Sequence, residues 1–379
     1  MKRNIKRVIS LVLVCTLSLT AFISNAGNED RTGQSGAAEL LINPWARGTG
    51  WGNAGVANST GIESMFTNVA GLSFTNKTQI SFMNTQYLQG SGAKINAFGI
   101  AQKVSETGVL GISVFAMGFG DIPVTTTENP EGGIGNFSPS LMNVSVSYAN
   151  SFSDAIHGGF SVKIINESIS DISATGVAFD AGIQYVSGKY NNLHFGIALK
   201  NIGTPLSFNG DGLSVRGLIN GSSNNLTLQQ RSGEFELPSM LTLGFAYDFL
   251  WAKKEKSVAS DASGGAKPKK KNSDLSADNA EHRLTLAGAF ISNAFSKDQF
   301  AGGVEYSWNN MLQLRAGYCF ETNMYDSELG KTVYTGVNVG GSVVVPMNKA
   351  KGSYFSIDYS YRATKNFSGC HTIGAVINL

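Results

Sequence analysis

Eight ionisable side chains recur on the polar phase of an alternating pattern: Lys163, Asp180, Lys200, Asp248, Glu305, Arg315, Asp358 and Arg362. Both signs are represented, so these groups can pair across an enclosed space, against a central element, or line a track for a charged substrate. Mutual pairing is the reading that a mixture of signs favours. Covalent and metal chemistry have less to work with. The chain has no H-E-x-x-H zinc pair and no G-x-S-x-G nucleophile elbow. Gly330-Lys331-Thr332 has the form of the end of a phosphate loop, but Tyr325 stands where its first glycine belongs. His157, His194, His282 and His371 fall near the starts of different strands, and no serine is marked as activated. Cys319 and Cys370 belong to no C-x-x-C pair, which removes the common zinc and redox motifs and leaves open whether the two join. The expectation is a protein without catalytic residues, metal or cofactor.

The elements that must position those charges are strands. From Gln79 onward apolar residues recur at every second position, which places one set of side chains on each face of a sheet. Leu241, Leu243, Phe245, Tyr247 and Phe249 alternate with Thr242, Gly244, Ala246 and Asp248; Leu312, Leu314, Ala316, Tyr318 and Phe320 alternate with Gln313, Arg315, Gly317 and Cys319. About fourteen strands are predicted, near 79–88, 94–104, 108–117, 140–149, 155–167, 173–187, 193–202, 239–250, 282–291, 298–308, 311–321, 334–345, 354–363 and 370–379. Most have the ~9–11 residues with which a tilted strand crosses a bilayer. Connections after even strands are short, as at Ser105 to Thr107 and Asn309-Asn310, whereas Gly118 to Pro139 and Gly203 to Pro238 are long. That asymmetry fits a transmembrane barrel with short periplasmic turns and long outer loops better than a soluble sandwich. Tyr148, Tyr185, Tyr247, Trp251, Tyr306, Trp308 and Tyr361 suit interfacial girdles.

One connection departs from the parity. Residues 251–281, after the eighth strand, are long and rich in lysine, serine and alanine, the composition of a solvated basic loop. Parity puts Lys267 to Lys271 on the periplasmic side, where they could also dock an acidic partner or envelope polymer.

Composition agrees with a barrel. Of 379 residues only 15% are charged, 45 are glycine and 8 proline, and the net charge of +2 offers nothing to a nucleic acid. The first 26 residues read as a secretory signal. Lys2, Arg3, Lys6 and Arg7 precede the apolar run Val8 to Ile23, and Ser24-Asn25-Ala26 forms a cleavage site ahead of Gly27. The expected organisation is thus a signal at 1–26, an N-terminal plug at 27–78 and an antiparallel β-barrel at 79–379, integral to the outer membrane and surrounded by its lipid.

The plug is the glycine-rich, charge-poor stretch Gly48 to Leu72, and the motifs around it carry a resemblance. Leu40-Leu41-Ile42-Asn43-Pro44-Trp45-Ala46-Arg47, followed by Gly50-Trp51-Gly52-Asn53-Ala54-Gly55-Val56-Ala57, resembles the N-terminal signature of the PorV/PorQ family. Asn68-Val69-Ala70-Gly71-Leu72 resembles the Asn-Pro-Ala-Gly-Leu motif that this family shares with FadL-type fatty-acid transporters, with Val69 in place of proline. Gly158 to Tyr185 and Phe195 to Gly203 are similar to its mid-barrel strands. The resemblance implies a FadL-like fourteen-stranded barrel whose hatch is marked by Arg47, Gly50, Gly52, Gly55, Asn68, Gly71 and Leu72. It also implies a part in type IX secretion. Such a barrel takes cargo with a C-terminal signal domain from the translocon barrel to the surface attachment complex, with the two long loops as cargo contacts. The rival expectation is a FadL-like channel, in which Gly50 to Gly55 move to pass a hydrophobic small molecule.

Overall fold

A computed structural model describes residues 27–218, 224–251, 280–326, 328, 330–348 and 352–379. The predicted signal segment with Cys15, and most of the lysine-rich connection with Lys267 to Lys271, lie outside the described residues. Fourteen strands form one closed antiparallel barrel. They are β1 (Thr78–Gln86), β2 (Lys94–Lys103), β3 (Gly108–Gly118), β4 (Ser140–Ser151), β5 (Ile156–Ile169), β6 (Ile172–Ser187) and β7 (Leu193–Gly203). The second half comprises β8 (Met240–Trp251), β9 (His282–Asn293), β10 (Gln299–Trp308), β11 (Leu312–Glu321), β12 (Tyr334–Asn348), β13 (Ser353–Thr364) and β14 (Cys370–Asn378). Each strand pairs with its neighbours in sequence, and β1 closes on β14 from Gln79 opposite Asn378 to Gln86 opposite His371.

The alternation has a direct physical meaning. On β7, Phe195, Ile197 and Leu199 are exposed, while Gly196, Ala198 and Lys200 are buried. Equivalent rows encircle the wall, including Phe82, Phe98, Ile112, Phe160, Ile183, Phe245, Leu314, Val343 and Ile373. A continuous outer belt of large apolar side chains is unfavourable in water and is what a barrel solvated by lipid requires. No helix of the described residues is long and apolar enough to cross a membrane. Of the seven predicted girdle aromatics, Tyr148, Tyr185, Tyr247, Trp251, Tyr306 and Trp308 fall toward the ends of even strands and so at one rim, while Tyr361 lies toward the other.

Loop lengths follow the predicted parity, with the long connections 119–139, 204–239 and 322–333 all leaving odd strands. The first two are more ordered than their Gly, Ser and Asn content implies. Ile122–Pro123 pairs with Asn136–Phe137, Ser214–Leu218 with Asn225–Gln229, and Leu206–Ser207 with Glu234–Phe235. In the 204–239 loop, Leu206 and Leu237 are buried with Ala37, Leu40, Ile165, Ala174 and Ala178, so the loop folds down over the mouth of the barrel. Cys319 and Cys370 are both buried and free.

The regular ladder breaks between β6 and β7, where the register shifts between Phe179 and Ala181. Asn201 takes up the extra residue at φ 59°, the left-handed conformation that asparagine tolerates better than most. Its side chain is fully enclosed. Its N–H donates to Asp180 Oδ1 at 2.8 Å, and Nδ2 donates to the Pro238 carbonyl at 3.1 Å.

Candidate functional site

The interior of the barrel is filled by residues 38–74, and the geometry of that filling defines the site. The segment has only short turns of helix: Ala38–Leu41, Ala46–Gly50, Gly55–Ala57, Gly61–Glu63, Ser64–Thr67 and Val69–Phe74. Glycines every few residues and Pro44 prevent anything longer. Gly52 and Gly61 have φ of +65° and +67°, a turn that residues with a Cβ adopt only with strain. The path runs around the wall. Ala46–Gly50 rests on β11 to β14, Gly55–Ala57 on β7 to β9, Gly61–Glu63 on β1 and β2, and Val69–Phe74 on β3 to β6.

The wall meets this segment with glycine. Three cross-strand glycine pairs face inward, Gly159 with Gly182, Gly196 with Gly244, and Gly303 with Gly317. A Cβ on Gly196 would lie 2.5 Å from the Val56 carbonyl oxygen, one on Gly159 2.9 Å from that of Val69, and one on Gly317 2.2 Å from that of Trp51. Plug backbone therefore touches wall backbone, the close approach for which strand glycines are used. Residues with larger side chains at these positions would hold the plug off the wall.

Asn68 is the hub of the polar contacts. Its Nδ2 donates to the carbonyls of Val56 in the plug at 3.0 Å, Ile183 on β6 at 3.0 Å and Ile197 on β7 at 3.4 Å. Its Oδ1 accepts from Ala70 N at 3.2 Å and so caps the turn that follows. That cap starts the turn at Val69 without a proline there. Gln184 reinforces the same point, donating to the carbonyls of Val56 and Ser59 at 3.2 and 3.1 Å. Gly71 packs against Ser59, where a Cβ would be 2.0 Å from its carbonyl oxygen, and Leu72 is completely buried among Met65, Val109 and Ala149. Gly50 lies against Gly340 of β12, whereas Gly55 has room for a Cβ.

The eight charged wall residues resolve into local groups. Lys163 pairs with Asp180 at 2.5 Å and donates to Asn201 Oδ1 at 2.9 Å. Lys200 reaches inward, with Nζ 3.8 Å from the centre of the Phe66 ring of the plug. Asp248 accepts from Thr285 Oγ1 at 2.5 Å and lies 3.1 Å from His194 Nε2. Glu305 is held between Arg315 Nε at 2.5 Å and Arg283 Nη2 at 2.9 Å, and Arg315 also donates to Ser342 at 2.7 Å and to Gln313. Asp358 is enclosed, with Oδ2 accepting from Ser356 and Oδ1 unpartnered. Arg362 lies 3.5 Å over the ring of Tyr334.

Three further ionisable residues belong to the site, and the alternating pattern did not single them out: Glu39 and Glu63 of the plug, and Arg283 of β9. Glu63 is enclosed with Arg47, its own backbone contact being to Gly48. Burial works against the charge of Arg47, but Glu305, Glu63 and Asp358 more than offset it and hold the guanidinium above its usual value. Burial pushes the Glu63 carboxyl up to about 7 against the pull of Arg47, and burial together with Glu167 pushes Glu39 up to about 7. The sequence signal for both glutamates was their place as rare charges in an otherwise apolar plug.

The sign of the resulting pH effect follows. Each carboxyl takes its proton more readily in the seated plug than when released, where the ordinary value is 4.5. The seating they contribute is complete below pH 4.5 and is lost as pH rises through about 7. Loss of on the order of 3 kcal/mol per carboxyl is expected over that window. Hydrogen exchange of plug amides, corrected for intrinsic rates, should therefore speed up from pH 5 to pH 8 in the wild type. A Glu39→Gln, Glu63→Gln double variant should show a flat profile, and a wild-type profile without slope would remove this role.

Glu39 also borders a cavity of about 40 Å³, together with Trp45, Met65, Phe66, Phe115 and Lys163. That space holds a water or two, whereas a benzene-sized ring needs on the order of 150 Å³. The barrel is closed in this conformation.

No family model and no curated protein matches the sequence. Among solved structures, the fold is similar to that of the monoaromatic hydrocarbon channel CymD, with a TM-score of 0.52 and 13% identity over 89% of this chain and 98% of that one. It is likewise similar to the toluene transporter TodX of Pseudomonas putida, with a TM-score of 0.53 and 13% identity over 89% of this chain and 97% of that one.

Proposed function

We propose that the chain is an outer-membrane channel for small hydrophobic molecules, surrounded by outer-membrane lipid and closed by its N-terminal plug. The observation that carries this reading is the nature of the closure. Residues 38–74 fill the lumen through contacts with glycines and hydrogen bonds, all of which can be broken and remade. The apolar plug side chains Trp45, Met65 and Phe66 line an internal cavity of about 40 Å³ together with Glu39 and Lys163. Displacement of that part of the plug joins the cavity to the outer mouth, and the β6–β7 bulge is a place where wall pairing is already interrupted. The shared fold with two hydrocarbon channels adds support at the level of architecture.

The secretion role implied by the PorV/PorQ resemblance rests on the sequence motifs. One experiment separates the two. The barrel is expressed in an outer membrane depleted of other channels, and entry of a labelled monoaromatic probe is compared with that of a sugar of similar size. Faster entry of the aromatic probe alone is expected. Unchanged entry of both, together with co-purification of a giant translocon barrel or of secreted proteins sharing one C-terminal domain, would replace transport with secretion.

A further inference from the structure

The predicted cleavage site makes Gly27 the first residue of the processed chain, and the structure gives that residue a dedicated place. Its backbone N donates to Asp298 Oδ2 at 2.8 Å. Asp298 closes the 294–298 turn between β9 and β10, a connection that leaves an odd strand and so lies at the outer rim. Its other carboxylate oxygen accepts from Asn293 N at 3.4 Å. A Cβ on Gly27 would lie 2.6 Å from the Ser296 carbonyl oxygen, 2.9 Å from Asp298 N and 2.9 Å from Asp298 Oδ1, so the turn surrounds this backbone and leaves no room for a side chain. The following residues are fastened to the same mouth. Arg31 pairs with Glu236 at 2.7 Å and lies 4.2 Å over the ring of Phe295, and Gly36 N donates to the Glu236 carbonyl at 2.9 Å. Lys297 points elsewhere, donating to the Thr322 carbonyl.

We propose that the 294–298 turn, through Asp298, is a binding site for the α-ammonium group that signal removal creates at Gly27. In the precursor this nitrogen is an amide, uncharged and with one proton to donate. Hydrolysis of the Ala26–Gly27 bond adds one water, leaving a carboxylate on Ala26 and an amine on Gly27 that takes up a proton near neutral pH. The hydrogen bond from an uncharged amide to the Asp298 carboxylate thereby becomes an ion pair between an ammonium and a carboxylate, shorter and stronger. The leading end of the plug is thus seated at the outer rim by the act of processing, while Thr78 enters the wall at the other end of the barrel. The inference does not depend on what the barrel transports.

The test uses the full processed barrel in detergent and reads the acylation of its α-amine at neutral pH by mass spectrometry. The first residue found should be Gly27. The α-amine should react about tenfold more slowly in the wild type than in Asp298→Asn, because a paired ammonium gives up its proton less readily. The exposed Lys94 amine serves as internal reference and should react equally in both. If the variant does not assemble, the comparison is wild type folded against wild type in urea, with the same tenfold protection expected. A different first residue, or an α-amine equally reactive in the paired samples, overturns the proposal.

Discussion

Replacing Glu305 with alanine is expected to destabilise the barrel by about 3–5 kcal/mol, the usual cost of removing one partner from a buried ion pair. Glu305 is enclosed in the middle of β10 with Arg315 and Arg283 on its two carboxylate oxygens. The guanidinium of Arg47 feels it from the plug. Its loss leaves Arg315 and Arg283 without their shared carboxylate, and Arg315 and Arg47 with only Asp358 and Glu63 as counter-charges. The change should therefore loosen the plug as well as the wall. Glu305→Gln keeps the shape and one acceptor but not the charge, and should fall between alanine and the wild type. The temperature at which the folded barrel converts to the slower-migrating unfolded form on gels measures the wall, and protease access to the plug measures the seat. A melting temperature unchanged in Glu305→Ala would mean that this cluster is solvated and contributes little.

The second large effect should come from adding a side chain to the inner wall. In Gly317→Val the new Cβ would meet the Trp51 carbonyl group at 2.2 Å and Gly52 N at 2.5 Å, both backbone and unable to swing aside as a side chain could. Overpacking of this kind costs about 1–3 kcal/mol, enough to raise the open population on the order of tenfold to a hundredfold. Gly302→Val is the matched control, since nothing lies within 4 Å of a Cβ there and the position adjoins Gly303 on the same strand. Single-channel recordings should show frequent openings for Gly317→Val and a silent baseline for Gly302→Val. Equal silence in both would show that the plug yields without leaving the lumen.

Period-two alternation made the wall legible because lipid outside and a plug inside demand different side chains at consecutive positions. Every strand was placed to within a few residues. The same alternation puts eight charges on the phase opposite the apolar rows, but a face is not a partner. That Lys163 meets Asp180, while Lys200 meets a plug phenylalanine, depends on register and on the bulge at Asn201, which no periodicity encodes. The inward glycines were visible as small residues, but their purpose emerges only when Val56, Val69 and Trp51 are brought against them from 90 or more residues away. The long loops are rich in Gly, Ser and Asn, which gives no local sign of ribbons. Their ribbons and the burial of Leu206 and Leu237 come from packing over the plug, a tertiary contact invisible to local composition.

The contact of wall glycine with plug carbonyl has a consequence for how this protein can change. A wall that touches main chain fixes the path of the turns at Val56 and Val69, both buried, and almost any gain of volume at Gly159, Gly182, Gly196 or Gly317 is felt at once. Mutational tolerance is therefore low at these glycines. A library of plug variants should randomise Trp45, Met65 and Phe66, which line the internal cavity, and leave the glycines alone, so that each new plug is tried against the same mould.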